Sequence, residues 1–224
     1  MHIGSQITDL EPLANAFDVL VGLVHELRAD GHKISHIDFG GGLGIPYVAG
    51  NDGPPSPDAY ANVVKSAVKG LDCTLLFEPG RLLVGNAGIL VARVLYVKKG
   101  EAKNFLVIDA AMNDLIRPTL YEAHHDIIPV KEPPSGGPKI VADVVGPVCE
   151  TGDYLALNRE LPLPREGDLV AIMSAGAYGA VQAGTYNTRP LVPEVLVKGD
   201  QYAVVRPRFD VQDIVALDKI APWL

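Results

Sequence analysis

The sequence predicts an α/β region followed by an all-β region: a partial (incomplete) TIM-type β/α barrel over residues 1–87, then an antiparallel β-barrel or sandwich domain with short helices over residues 88–224. Three observations predict it. Helical and strand patterns alternate through the first third of the 224 residues, as parallel β/α units do. From Gly88 onward the chain becomes a series of short β-branched runs separated by Gly/Pro clusters. A complete (β/α)8 barrel takes about 250 residues, and the β/α pattern ends near residue 87, so the chain reads as the C-terminal part of something longer.

Leu10, Leu13, Phe17, Leu20, Val21, Val24 and Leu27 recur at three- and four-residue steps, which gives a helix with one buried stripe. Asp9 is placed to cap it. Glu11 and Pro12 suit the first turn, where the missing proline N–H costs little, and Gly31 suits the end. Residues 34–39 read as a short strand running into Gly40-Gly41-Gly42. A loop with four prolines spans 46–57, a second helix 57–69, and a second strand 74–77 ends at Glu78-Pro79-Gly80-Arg81. Beyond Gly88, strands are expected at 89–97, 104–109, 127–130, 139–145, 168–173, 194–197 and 201–205. Short helices are expected at 175–183 and 210–217.

Composition narrows the function classes. With 19 Lys+Arg against 27 Asp+Glu, the net charge of −8 argues against general affinity for nucleic acid or anionic membranes. A chain 48% hydrophobic and 21% charged folds into a globule. Two cysteines, Cys73 and Cys149, cannot make a disulfide scaffold and fit a reducing cytosol. The N-terminus lacks the pattern of a signal peptide. The most apolar stretch, 82–92, is interrupted by Gly85, Asn86 and Gly88 and falls short of the roughly 20 residues of a membrane span. A soluble, cytoplasmic protein is expected.

Several clusters can carry chemistry. Gly40-Gly41-Gly42-Leu43-Gly44 follows a strand, and backbone N–H groups in such a loop can cradle a phosphate; glycine-rich strand exits with no ligand are equally common. Glu78 and Arg81 stand at the C-terminal end of a strand, where β/α enzymes place their chemistry. A carboxylate there can keep a cofactor nitrogen protonated, and an arginine can grip an anion as a fork; a purely structural Glu–Arg pair explains them as well. His2 and Ser5 flank Gly4 at an apparent strand exit, suited to ring stacking and to phosphate donation. Cys149-Glu150 sits in Cys149-Glu150-Thr151-Gly152-Asp153, where a thiol beside acids can donate a proton, although inert cysteines are commoner. Arg117 and Tyr121 are four apart and can share one face of a turn. Tyr178, in Gly176-Ala177-Tyr178-Gly179, begins an expected helix. His124-His125-Asp126 and His32 with His36 lack further ligands at a recognised spacing, so no metal site is expected.

Taken in order, His2-Ile3-Gly4-Ser5-Gln6, Gly40-Gly41-Gly42-Leu43-Gly44-Ile45, Glu78-Pro79-Gly80-Arg81, Ile116-Arg117-Pro118-Thr119-Leu120-Tyr121, Cys149-Glu150-Thr151-Gly152-Asp153 and Gly176-Ala177-Tyr178-Gly179 resemble the diaminopimelate decarboxylase family. These are pyridoxal 5'-phosphate (PLP) enzymes of the alanine-racemase-like fold. The resemblance covers the whole chain but only about the C-terminal half of a family member. It implies decarboxylation of meso-diaminopimelate to L-lysine and CO2, in lysine biosynthesis. His2 is implied to stack on the pyridine ring, Ser5, Gly41, Gly42, Gly80 and Arg81 to hold the phosphate region, and Glu78 to pair with the pyridine nitrogen. Arg81, Arg117 and Tyr121 are implied in substrate binding, with Tyr178 at cofactor and substrate.

The resemblance also implies a homodimer with shared active sites, in which Cys149 protonates the product carbanion and Glu150 recognises the distal ammonium. The family's Schiff-base lysine precedes the His-Ile-Gly-Ser motif. None of the ten lysines here (33, 65, 69, 98, 99, 103, 131, 139, 198 and 219) stands in that context, so the isolated chain is expected to be inactive. Ornithine- and arginine-type decarboxylases share the first three motifs and are an alternative. So is a non-catalytic fragment that binds PLP or a partner subunit.

Overall fold

A computed structural model describes residues 1–50 and 53–224; residues 51 and 52, in the expected proline-rich loop, lie outside the described residues. The chain divides into two compact units, Met1–Gly88 and Ile89–Leu224.

In the first unit, helix α1 (Glu11–Ala29) buries Leu13, Phe17 and Val24 along the expected stripe. They pack with Ile37, Phe39, Leu43 and Val64. Phe17 meets Phe39 edge-on at 4.7 Å between centroids, a geometry the ring quadrupoles favour. Strand β1 (His36–Asp38), helix α2 (Pro57–Ala67) and strand β2 (Thr74–Leu76) form a β/α/β sequence in which β1 and β2 pair in parallel. Ser56 caps α2 by accepting the Ala59 N–H at 3.1 Å. Helix α3 (Gly80–Val84) and a 3-10 turn at Gly85–Ala87 end the unit. Two details differ from expectation. Leu10, not Asp9, is the cap residue of α1, and Asp9 Oδ1 accepts the Glu11 N–H at 3.0 Å. The segment carrying His2 and Ser5 is irregular rather than a strand exit, tied to the glycine loop by a single parallel bridge between Ile7 and Leu43.

In the second unit the strands are β3 (Leu90–Lys98), β4 (Phe105–Ile108), β5 (Ile127–Pro129), β6 (Lys139–Val145), β7 (Tyr154–Pro162) and β8 (Leu169–Ile172), with helix α4 (Arg117–Tyr121) between β4 and β5. They form one mixed, nearly closed sheet in the order β5-β8-β3-β4-β6-β7. Its interior holds Val94, Leu106, Ile108, Val144, Leu155 and Ile172. The edges approach each other where Arg159 of β7 donates from Nη1 to the carbonyl of His125, just before β5, at 2.7 Å.

The sheet is not wholly antiparallel as expected, because β4 and β6 run parallel (Phe105 opposite Asp143). The chain leaves β4, passes through α4 and β5 at the far edge, and returns in the same direction. Strand β7 has no counterpart in the sequence reading. Asn158-Arg159-Glu160 breaks its apolar alternation, and Asn158 takes a φ of +48° beside the register irregularity between Ala142 and Val144. The region expected as a helix over 175–183 is a turn followed by a 3-10 helix at Ala180–Gln182.

A separate hairpin, β9 (Glu194–Lys198) with β10 (Gln201–Arg206), and the short helix α5 (Val211–Val215) complete the unit. No described helix is long and apolar enough to cross a membrane.

Candidate functional site

In the first unit the glycine loop is fixed by backbone contact. A Cβ on Gly40 would stand 1.8 Å from the Met1 carbonyl oxygen, one on Gly41 2.1 Å from that of Glu78, and one on Gly42 2.3 Å from that of Gly4. Gly40 and Gly42 also have φ of +70° and +99°, open to glycine at no steric cost. Each glycine therefore admits a different backbone segment, and the three segments carry His2, Ser5 and Glu78. Part of the loop's donor capacity is used internally: the Gly40 N–H goes to Asp38 Oδ1 (2.7 Å) and the Gly44 N–H to the Ile7 carbonyl (2.9 Å). Gln6 clasps the backbone of Ile45 from both sides, donating from Nε2 at 2.6 Å and accepting at Oε1 at 3.2 Å. The N–H groups of Gly41 and Gly42 have no acceptor among the described residues. With the N–H groups of Gly40 and Gly44 engaged, the phosphate-cradling capacity lies with the donors between them.

Arg81, the second residue of α3, faces the same place. Its Nη2 donates to Ser5 Oγ at 2.8 Å and its Nη1 to the Tyr47 hydroxyl. Its guanidinium carbon lies 5.8 Å from the Tyr47 ring centroid. Because Ser5 Oγ accepts from a cation, its own hydrogen is directed elsewhere, and an anion placed there meets a donor backed by positive charge. Glu78 is exposed at the end of β2, its carboxylate without a hydrogen-bond partner among the described residues. Gly80 donates to the Glu78 carbonyl at 2.8 Å, which turns the chain into α3. His2 is exposed. An anion can sit at Ser5, Gly41 and Gly42, and a protonated ring nitrogen can pair with Glu78. Tyr47 carries no spacing signal and is absent from the sequence-based candidates.

In the second unit, Arg117 opens α4 and is 7% exposed, whereas Tyr121, one turn later, is 59% exposed. They are not two members of one exposed face. Arg117 turns inward and its Nη1 lies 2.8 Å from Nε2 of His125, which is fully buried. The other ring nitrogen of His125 lies 2.8 Å from the Met173 carbonyl oxygen. Burial lowers the His125 pKa from 6.5 to about 4; the Met173 bond opposes this, and the charges of Arg117, His124 and Arg159 add to it.

Cys149 and Glu150 are exposed on the loop between β6 and β7. That loop is anchored by Asp153, whose buried carboxylate accepts the N–H of Met112 at 2.7 Å and of Val148 at 2.6 Å. Burial raises the Asp153 pKa, against the lowering effect of those two bonds. Thr119 on α4 donates from Oγ1 to the Gly152 carbonyl, and the Tyr186 hydroxyl reaches Glu150 at 3.3 Å. The loop with Cys149 and Glu150 therefore rests on the helix that carries Arg117 and Tyr121. Tyr178, exposed, sits at φ +57° in a turn instead of opening a helix. Gly179 allows this turn, since a Cβ there would stand 2.2 Å from the Ala175 carbonyl oxygen. Such a non-glycine φ costs of order 1–3 kcal/mol and clusters at functional sites.

All ten lysines are exposed. No group of three or more His, Cys, Asp or Glu side chains among the described residues could hold a metal ion.

The family model described as pyridoxal-dependent decarboxylase, C-terminal sheet domain, matches residues 10–176. Diaminopimelate decarboxylase of Zymomonas mobilis is 47% identical over 223 residues, covering 100% of this chain and 52% of the relative. That of Pseudomonas aeruginosa is 49% identical over 221 residues, covering 99% and 52%. The crystal structure of diaminopimelate decarboxylase from M. jannaschii in co-complex with L-lysine is similar with a TM-score of 0.91 at 36% identity, over 100% of this chain and 52% of that one. The chain spans about half the length of the curated relatives it matches.

Proposed function

The chain belongs to the pyridoxal-dependent decarboxylase family, and on that premise we propose that it is the C-terminal portion of a diaminopimelate decarboxylase, which releases CO2 from the D-configured carbon of meso-diaminopimelate and yields L-lysine. The observation that carries the reading is the convergence of Ser5, Arg81, Glu78 and His2 on Gly40–Gly42. When bound, PLP supplies an electron sink for decarboxylation.

The residues present fit that cofactor. Ser5 and the N–H groups of Gly41 and Gly42 bind its phosphate, with Gly80 bringing Arg81 up behind Ser5. Glu78 pairs with the pyridine nitrogen and holds its proton. His2 packs on the ring, and Tyr178 contacts cofactor and substrate. Arg117 and Tyr121 take the distal carboxylate of the substrate, Glu150 its distal ammonium, and Cys149 delivers a proton to the carbon that lost CO2. Cys149 and Glu150 do this across a homodimer interface. In this reading residues 1–87 are part of a β/α barrel that encloses the cofactor, residues 88–224 are the sheet domain, and the protein is cytoplasmic. The lysine that holds the cofactor lies in the half of the relatives that this chain does not span.

The test mixes the purified chain with the separately expressed N-terminal half of the Zymomonas mobilis relative, in the presence of PLP. The expected result is CO2 and L-lysine from meso-diaminopimelate in the mixture, and neither from the chain alone. A mixture that binds PLP but acts only on ornithine or arginine would overturn the substrate assignment. A chain that releases CO2 unaided would overturn the division of the site between two halves.

A further inference from the structure

We propose that His125 is a positioning residue for Arg117: its ring accepts a hydrogen bond from the guanidinium and so fixes the direction in which that cation meets the substrate's distal carboxylate. The inference rests on the assignment of Arg117 to that carboxylate given above.

Two hydrogen bonds of the His125 ring dictate one form of it. A carbonyl oxygen can only accept, so the nitrogen 2.8 Å from Met173 O, Nδ1, carries the hydrogen. A guanidinium can only donate, so Nε2, 2.8 Å from Arg117 Nη1, must offer its lone pair. Both demands are met by a single neutral tautomer. Protonation at Nε2 would set N–H against N–H in a fully buried place.

The surroundings keep the ring neutral. Arg117 faces it from α4 and Arg159 from β7; His124 and Asp126 flank it on its own segment. Asp126 is engaged by His124 at 2.8 Å and stands 4.0 Å from Arg159. Burial and the neighbouring cations hold the pKa down to about 4.

Arg117 is nearly buried, and the bond at Nη1 holds one prong of its planar fork in place. The same ring grips Met173, which leads through Ser174 (φ +56°) into the turn bearing Tyr178. One imidazole thus ties α4 to the segment carrying Tyr178, another proposed substrate contact.

The experiment has two arms. In the first, side-chain ¹⁵N NMR of the 224-residue chain is expected to show His125 neutral and protonated at Nδ1 at pH 6. Separate Arg117 Hη signals are expected in the parent and in His125→Gln, whose carbonyl oxygen can occupy the place of Nε2, and averaged signals in His125→Leu. The second arm uses the chain completed with the Zymomonas mobilis N-terminal half. There His125→Leu is expected to raise KM for meso-diaminopimelate about tenfold, the loss of one charge-assisted hydrogen bond, while kcat changes less; His125→Gln is expected to restore most of that KM.

A charged His125 at pH 6, a proton on Nε2 instead of Nδ1, or Arg117 signals indifferent to His125→Leu would overturn the proposal. So would equal destabilisation by both variants with KM unmoved. If Arg117→Met leaves KM unchanged while the NMR signature of the pair stands, the carboxylate assignment fails and the positioning bond does not. The NMR of the parent chain decides the matter even where a variant fails to fold.

Discussion

Gly40, Gly41 and Gly42 in the Met1–Gly88 unit hold His2, Ser5 and Glu78 by letting backbone atoms approach where no side chain fits. In the Ile89–Leu224 unit, Arg117 and the Cys149 loop are held by buried side chains instead: His125 on Arg117, and Asp153 on Met112 and Val148. The first arrangement rests on steric close approach, with one side chain, Asp38, accepting the Gly40 N–H. It should be intolerant of a single methyl. The second depends on protonation states and on buried acceptors. It should tolerate small changes of shape and fail when an acceptor is removed or a ring is charged. The difference teaches that two units of one chain can hold their candidate residues by two physically different means, each breakable without touching the other.

The largest expected effect is on the steric side. Gly41→Ala places a methyl 2.1 Å from a backbone oxygen, so the Glu78 strand end or the loop must shift. A loss of about 3 kcal/mol is expected, in the upper range for overpacking. The check is the urea midpoint of the chain. Gly22→Ala supplies the contrast within the same unit: it lies in α1 with nothing within 4 Å of the new Cβ, and it should gain about 0.5–1 kcal/mol from helix propensity. Equal outcomes for the two variants would break the claim that close approach, rather than glycine as such, fixes the loop.

Second in size is the buried acceptor. Asp153→Ala leaves the N–H groups of Met112 and Val148 without their partner, which should cost about 2 kcal/mol. Amide exchange within residues 148–152 should accelerate first, ahead of the Gly40–Gly44 amides. Simultaneous acceleration in both units would show that the two locks are not independent.

These particulars explain what the sequence disclosed and what it withheld. The helix stripe of Leu13, Phe17 and Val24 is legible because burial repeats with the helical period. Glu78 and Arg81 are legible because strand ends followed by Pro-Gly are marked in the chain. The reason for Gly40–Gly42 is not: a glycine run shows that something approaches, but not that it is the backbone of Met1, Gly4 and Glu78. The parallel pairing of β4 with β6 depends on where an intervening strand lodges, which no local pattern records. His124-His125 is visible as a doublet and invites a metal reading. The His125 ring instead meets an arginine eight residues earlier and the Met173 carbonyl, and a backbone carbonyl leaves no trace in residue identity. Tyr47 is hidden for a similar reason, since Arg81 reaches it across 34 positions.

The smallest expected effect is the pH dependence, and it separates the two units most cleanly. His125 takes up its proton near pH 6.5 in the unfolded chain but resists until about pH 4 when folded, chiefly because it is buried. Between those values the unfolded state binds more protons, so stability falls as pH falls through this window. At one unit below 6.5 the loss is about 1.4 kcal/mol, and it saturates near 3 kcal/mol around pH 4. Asp114 and Asp153 carry raised pKa values and act in the opposite sense on the acid side, so the parent curve alone is a mixture. The difference between the parent and His125→Gln isolates the ring. Measured by urea unfolding at pH 7.5 and pH 5.5, the parent should lose more stability than the variant by about 1.4 kcal/mol. The loss should be read from signals of the Ile89–Leu224 unit, with the Gly40–Gly44 amides unmoved. If the two proteins fall together, His125 is already charged in the fold, and the lone pair that would hold Arg117 is not there.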